Sequence, residues 1–132
     1  MKTKVYLAGG FGGDWQNSVM QELGENFVFF NPKEHRLTIE KQYTVWDLHY
    51  IRQCDILFGY LSSENPSGYG LCLEVGYARG INKTIILVDE KSGGDEEFAR
   101  YYRIVHATSS IQFSTLQDGI DYLKTFSASS TN

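Results

Sequence analysis

Glu74 is the residue in this sequence best placed for chemistry. It lies in the segment Gly70-Leu71-Cys72-Leu73-Glu74-Val75-Gly76-Tyr77-Ala78, which reads as a helix running from about Tyr69 to Arg79 and stopping at Gly80. Leu71, Ala78 and Ile81 stand at helical spacings from it, so its carboxylate shares a stripe with apolar side chains that should face inward. A buried carboxylate is costly unless it is paired. Burial would raise its pKa, and the nearby helix N-terminus would lower it. A perturbed carboxylate of this kind marks a functional site, although a boundary glutamate bonded to a backbone group fits the same pattern.

Other titratable residues carry weaker signals. Asp47, between Trp46 and Leu48, lies at the edge of the apolar face of a second helix, and taken alone it reads as a solvated acid. His35, His49 and His106 lack metal-ligand spacing and read as surface or boundary residues. No G-x-S-x-G elbow appears among the serines, and no pattern supports a zinc site. No cofactor or metal is expected.

A parallel sheet would position these groups. Val5-Tyr6-Leu7-Ala8, Phe27-Val28-Phe29-Phe30, Asp55 to Leu61 and Thr84 to Val88 are apolar runs without alternation, as strands covered on both faces require. Ile104-Val105-His106-Ala107 is the candidate for a fifth. Helices are expected from Asp14, as N-cap, to Leu23, then over Thr44–Gln53, Tyr69–Arg79 and Leu116–Phe126, with a short one over Glu96–Tyr102. The polar stretch from Lys33 to Gln42 reads as a loop long enough to be functional. The alternation of strands and helices predicts a three-layer, doubly wound α/β fold of the flavodoxin or Rossmann type, with a five-stranded parallel sheet. A single domain over residues 1–126 and a frayed polar tail over 127–132 are expected.

In such folds ligands bind beyond the carboxyl ends of the strands. Three loops should lie there: Gly9 to Asp14, Ser62 to Gly68, and Asp89 to Asp95. The first is glycine-rich and leads into a helix N-terminus, an arrangement that favours an anion or a sugar hydroxyl. A tight turn without ligand contact would look the same. It is not the dinucleotide fingerprint, because Trp15 stands where the third glycine belongs, and no P-loop lysine follows.

Composition narrows the partners. The chain has 132 residues and a net charge of -4, which argues against nucleic acid or an anionic membrane surface and leaves small molecules or proteins. The two cysteines, Cys54 and Cys72, lie in apolar stretches outside any CxxC pattern, which fits small buried hydrophobes in a reducing cytoplasm. The apolar run at the N-terminus is too short for an export signal and ends at Gly9 and Gly10, and no run approaches the length of a membrane span.

Three elements in order resemble the nucleoside 2-deoxyribosyltransferase family and its 2'-deoxynucleoside 5'-phosphate N-hydrolase relatives. They are Val5-Tyr6-Leu7-Ala8-Gly9-Gly10, then Asp47-Leu48 followed by Asp55-Ile56-Leu57, then the G-x-x-x-E-[LIV]-G-x-A pattern over Gly70–Ala78. The resemblance runs from Val5 to about Val88. It implies that Glu74 is the nucleophile at the anomeric carbon and that Tyr6 donates the hydrogen bond that orients it. Asp47 would handle the proton of the base or bind the sugar. Gly9, Gly10, Phe11, Ser67, Gly68 and Gly70 would contact substrate. It further implies a homodimer or higher homo-oligomer, for which Tyr43, Trp46 and Tyr50 offer aromatic surface. The sequence departs from the pattern at Gly68, where the transferases carry an acidic residue. Ser67 lies one position from the serine of the phosphate-binding relatives, and Asp14 stands in a first loop that is basic in them. Two other readings are a nucleotide-sensing module without turnover and an unrelated flavodoxin-like interaction domain.

Overall fold

The computed structural model describes residues 1–127. Residues 128–132, most of the expected tail, lie outside the described residues. Five parallel strands form one sheet in the order β2-β1-β3-β4-β5: β1 (Thr3–Gly9), β2 (Phe27–Phe30), β3 (Ile56–Leu61), β4 (Thr84–Asp89) and β5 (Ile111–Phe113). Five helices cover it: α1 (Trp15–Leu23), α2 (Glu40–Gln53), α3 (Tyr69–Gly80), α4 (Glu96–Thr108) and α5 (Leu116–Lys124). This is the doubly wound arrangement in which the order of adding strands reverses between β1 and β3.

The period of two in each strand divides the core into two layers. Tyr6 and Ala8 of β1, Leu57 and Leu61 of β3, and Ile85 and Leu87 of β4 face one side, where they pack on α2, α3 and α4 through Ile51, Leu71, Val75, Ala78, Tyr102 and Val105. Val5, Leu7, Ile56, Phe58, Ile86 and Val88 face the other and pack on α1 and α5 through Trp15, Val19, Leu23, Ile120 and Leu123. The parity of Tyr6 therefore aims its ring at the layer that carries Asp47 on α2 and Glu74 on α3.

The structure departs from the sequence reading in three places. The expected strand over Ile104–Ala107 is the last part of α4. Asp95 starts this helix by accepting the backbone N–H of Phe98 at 3.0 Å, and Phe98, Tyr102 and Val105 then recur at helical spacing on its buried side. The fifth strand is instead Ile111–Phe113, three residues at the sheet edge beside β4, too short to show a period. Finally, α2 begins at Glu40, four residues before Thr44, and Pro32–His35 forms a 3-10 turn within the stretch expected to be loop. Residues 40–42 are exposed, so no apolar periodicity marks that first turn.

Candidate active site

A cleft of about 270 Å³ opens where the strand order reverses between β1 and β3, lined by Gly9 and Gly10, by Asp47 and Leu48, and by the segment from Ser67 to Leu71 with Glu74. Close contact between the two strand ends shapes its floor. Gly9 has φ 148, and a Cβ there would lie 2.4 Å from the Tyr60 carbonyl oxygen, so only glycine lets β1 approach β3 at this point. The loop beyond is anchored through the Gly10 carbonyl, which accepts from Trp15 Nε1 at 2.9 Å and Gln16 Nε2 at 3.3 Å. The residue that breaks the dinucleotide pattern thus holds this loop in place.

Asn65 fixes the opposite wall. Its Oδ1 accepts the backbone N–H of Ser67 at 3.1 Å and of Gly68 at 2.8 Å, an Asx turn that sets the start of α3. Sequence reasoning passed over this residue, although the Asn65-Pro66 pair is a turn signal. Gly68 caps α3 with φ 66, and a Cβ there would lie 3.0 Å from Leu61 Cδ1 and 3.1 Å from the Tyr102 hydroxyl. An acidic side chain at this position would be strained and crowded, which gives a physical reason for the glycine found where the transferases carry an acid.

Tyr6 donates a short hydrogen bond to Glu74 Oε2. The tyrosine is fully buried and stacks on Tyr50 at 5.8 Å, so the hydroxyl is held by packing. Burial pushes the Glu74 carboxyl up from 4.5 to about 7; the Tyr6 bond works against this, and the charge of Asp47 adds to it. Glu74 remains partly exposed, because the cleft reaches it. Burial also raises the Tyr6 hydroxyl far above its ordinary range, with Glu74 and Asp47 adding to the effect, so Tyr6 acts as a donor and not as a base.

Asp47 is also raised from its ordinary value by burial, and a hydrogen bond from His35 pulls in the other direction. His35 Nε2 lies 3.1 Å from Asp47 Oδ1, and the side chains are 5% and 19% exposed. The solvated reading of Asp47 does not hold, and His35 is a boundary residue whose ring is turned inward. A lone histidine in a polar, aperiodic stretch carried no signal of this pairing.

The structure brings Glu74, Asp47, Gly9, Gly10, Ser67, Gly68 and Gly70 together around one cleft, with Tyr6 beneath it. Phe11 is placed apart. It is 53% exposed and lines an adjoining cleft of about 630 Å³ with Trp15, Tyr60 and Glu64, which meets the first at Gly10 and Asn65. The loop from Asp89 to Asp95, expected at the ligand edge, lines neither cleft. Asp89 instead accepts from Lys91 N, Ser92 N and Ser92 Oγ and pairs with His106 at 2.6 Å, tying the end of β4 to α4. Among the described residues no group of three His, Cys, Asp or Glu side chains could hold a metal. No helix among them is long and apolar enough to cross a membrane.

A reversed strand order with a raised, tyrosine-bonded glutamate at its crevice defines a flavodoxin-like α/β protein with a carboxylate site. A family model described as "Nucleoside 2-deoxyribosyltransferase like" matches residues 2–92, and the chain belongs to that family. Solved structures share its fold, among them the following three. The 2-deoxyribosyltransferase of Bacillus psychrosaccharolyticus superposes with a TM-score of 0.70 at 21% identity, over 91% of this chain and 92% of that one. The enzyme of the same name from Leishmania mexicana gives 0.70 at 18%, over 93% and 97%. The CMP N-glycosidase of Clostridium botulinum gives 0.63 at 21%, over 92% and 98%. No curated protein sequence matches. At these identities the structural likeness is one of fold.

Proposed function

We propose that this protein cleaves or transfers at the N-glycosidic bond of a (2'-deoxy)nucleoside, with Glu74 as nucleophile. The observation that carries this reading is the Glu74 carboxylate at the cleft, bonded by Tyr6 through Oε2. Oε1 is then the oxygen available to attack the anomeric carbon. As the C–O bond forms, the C–N pair departs with the base, which takes a proton from Asp47. Water or a second base then attacks the glycosyl ester, gives its proton to Asp47 and releases the Glu74 carboxylate. Gly9, Gly10, Ser67, Gly68 and Gly70 hold the sugar, and Phe11 meets whatever reaches into the adjoining cleft. The protein works in the cytoplasm as a homodimer or larger homo-oligomer, with no cofactor.

A second reading, a 2'-deoxynucleoside 5'-monophosphate N-glycosidase, draws on the N-terminus of α3. The Gly68 N–H is taken by Asn65 and the Tyr69 N–H faces Ser67 Oγ at 3.4 Å, so of the lining residues there Gly70 offers the N–H that could receive an anion. A non-catalytic nucleotide sensor of the same fold would bind ligand and release nothing.

Chromatography of nucleosides and their monophosphates, with and without an added free base, tests the reading. Base release or exchange is expected, and it should fall at least about a hundredfold in Glu74→Ala and Glu74→Gln, roughly 3 kcal/mol in the barrier. Activity above a tenth of wild type in both variants would refute the nucleophile. Tight binding without product would favour the sensor.

A further inference from the structure

His35 has no part in the reaction just described, yet both of its ring nitrogens are engaged. Nε2 lies 3.1 Å from Asp47 Oδ1, and Nδ1 accepts the backbone N–H of Leu37 at 3.1 Å. A backbone N–H can only donate, so Nδ1 carries no proton and the hydrogen of the neutral ring sits on Nε2, directed at Asp47. The chain accepts an unfavourable conformation to make this contact. Arg36 is left-handed, φ 55 and ψ 22, which costs a non-glycine residue about 1 kcal/mol. That turn brings the Leu37 N–H back onto the ring of the residue two positions earlier. Asn31 sets the start of the same turn by accepting the Lys33 N–H at 3.1 Å, and Trp46 lies beside the imidazole at 6.4 Å. His35 does not line the cleft.

We propose that His35 is a positioning residue for Asp47. As a neutral Nε2–H donor it occupies Oδ1 whether or not Asp47 is protonated, so the proton Asp47 exchanges with the base resides on Oδ2. Oδ2 takes no hydrogen bond among the described residues. The inference rests on the proposed N-glycosidic reaction and adds to it the residue that selects which oxygen of the acid delivers the proton. A carboxylic acid held in one rotamer with one oxygen occupied needs no reorientation before transfer, and the gain appears in turnover, not in substrate binding.

His35→Phe, His35→Gln and Asp47→Asn, alone and combined, test it. His35→Phe fills the space without a donor, and kcat is expected to fall about tenfold or more while KM changes by less than about threefold. His35→Gln keeps an N–H at a similar reach and should recover most of that loss. In the Asp47→Asn background His35→Phe should cost nothing further, because a residue acting through Asp47 has nothing left to position. An equal loss in both backgrounds, or none in either, overturns the proposal. So does ¹⁵N NMR of the wild type at neutral pH if it finds the Nδ1–H tautomer or an imidazolium at His35. A wild type that releases no base refutes the reaction itself, whereas an active wild type with additive His35 and Asp47 effects refutes only the positioning role.

Discussion

At the scale of single residues, the site rests on two carboxyl groups raised by burial and on the donors that restrain them. In the proposed reaction Glu74 must be ionised to attack, so with its carboxyl near 7 kcat/KM should fall about tenfold per pH unit below that value. The Tyr6 bond lowers the Glu74 pKa. Tyr6→Phe should therefore move this acid limb to higher pH, with a large loss at pH 6 and a small one at pH 9, and a smaller loss overall than either Glu74 variant gives. A pH–rate profile that does not move would show that the bond leaves the nucleophile untuned. The same burial predicts a stability effect. A carboxyl raised from 4.5 to about 7 favours the folded state fully below about 4.5, and this contribution is lost as pH rises through 7. Above 7 the ionised group costs on the order of 3 kcal/mol. Glu74→Gln should then melt a few degrees higher than wild type at pH 8 and equally at pH 4, a trade of stability for function. Calorimetry at the two pH values checks it, and a lower Tm at pH 8 would count against a destabilising ionised Glu74.

Elements with a clear apolar run or a strong amphipathic stripe were legible in the sequence, and they hold the named carboxylates. Strands β1 to β4 and helices α1, α3 and α5 lie within a residue or two of expectation, because an apolar run or a buried stripe writes itself into residue type. Glu74 was legible for the same reason, since Leu71 and Ala78 fixed the face of α3. The sequence did not reveal contacts made by backbone and turn chemistry: the Asn65 turn, the left-handed Arg36 and the His35–Asp47 pair. None of these leaves a period. The edge strand β5 was missed because three residues carry too little pattern, and the apolar Ile104 of α4, 73% exposed, imitated a strand. Gly9 offers a test at this scale. Gly9→Ala would place a methyl 2.4 Å from the Tyr60 carbonyl oxygen and 3.0 Å from the Trp15 ring. Neither is a flexible side-chain end that could move aside, so β1 and β3 must separate where the cleft forms. A loss of about 2–3 kcal/mol in denaturant unfolding, together with most of the activity, is expected. Unchanged stability would mean that the close approach is not needed.

For the whole molecule, the charge of the cleft bears on whether the proposed reaction takes a nucleoside or its 5'-monophosphate, and we expect the nucleoside to be preferred. A phosphate brings nearly two negative charges at neutral pH. Glu74 and Asp47 already stand in the cleft, Asp14 and Glu64 line the adjoining one, and neither lining includes Lys or Arg. Two lysines are already engaged, Lys33 by residues that line the adjoining cleft and Lys91 away from both clefts. Lys33 belongs to the 3-10 turn, where its Nζ bonds the Gly13 carbonyl at 2.9 Å and lies 6.0 Å over the Phe11 ring; Lys91 lies 5.1 Å over Phe98. Against this charge stand the N–H of Gly70 at the start of α3 and the Ser67 hydroxyl, both in the cleft lining. A helix N-terminus contributes about half a charge, typically worth about 0.3–1 kcal/mol and up to ~2 in a partly buried setting. The ionised Glu74 in a partly dry cleft, with Asp14 and Glu64 in the adjoining one, opposes a dianion with comparable or greater energy. The exposed apolar rim adds to the same preference: Tyr69 and Leu73, 80% and 60% exposed, line the cleft and would cover a neutral ligand better than a charged one. Deoxycytidine should therefore show a kcat/KM several-fold above that of its 5'-monophosphate, and the gap should narrow as salt screens the repulsion. A tenfold advantage for the monophosphate, lost on weakening the α3 N-terminus by Ser67→Ala, would reverse the assignment and make the protein a nucleotide N-glycosidase.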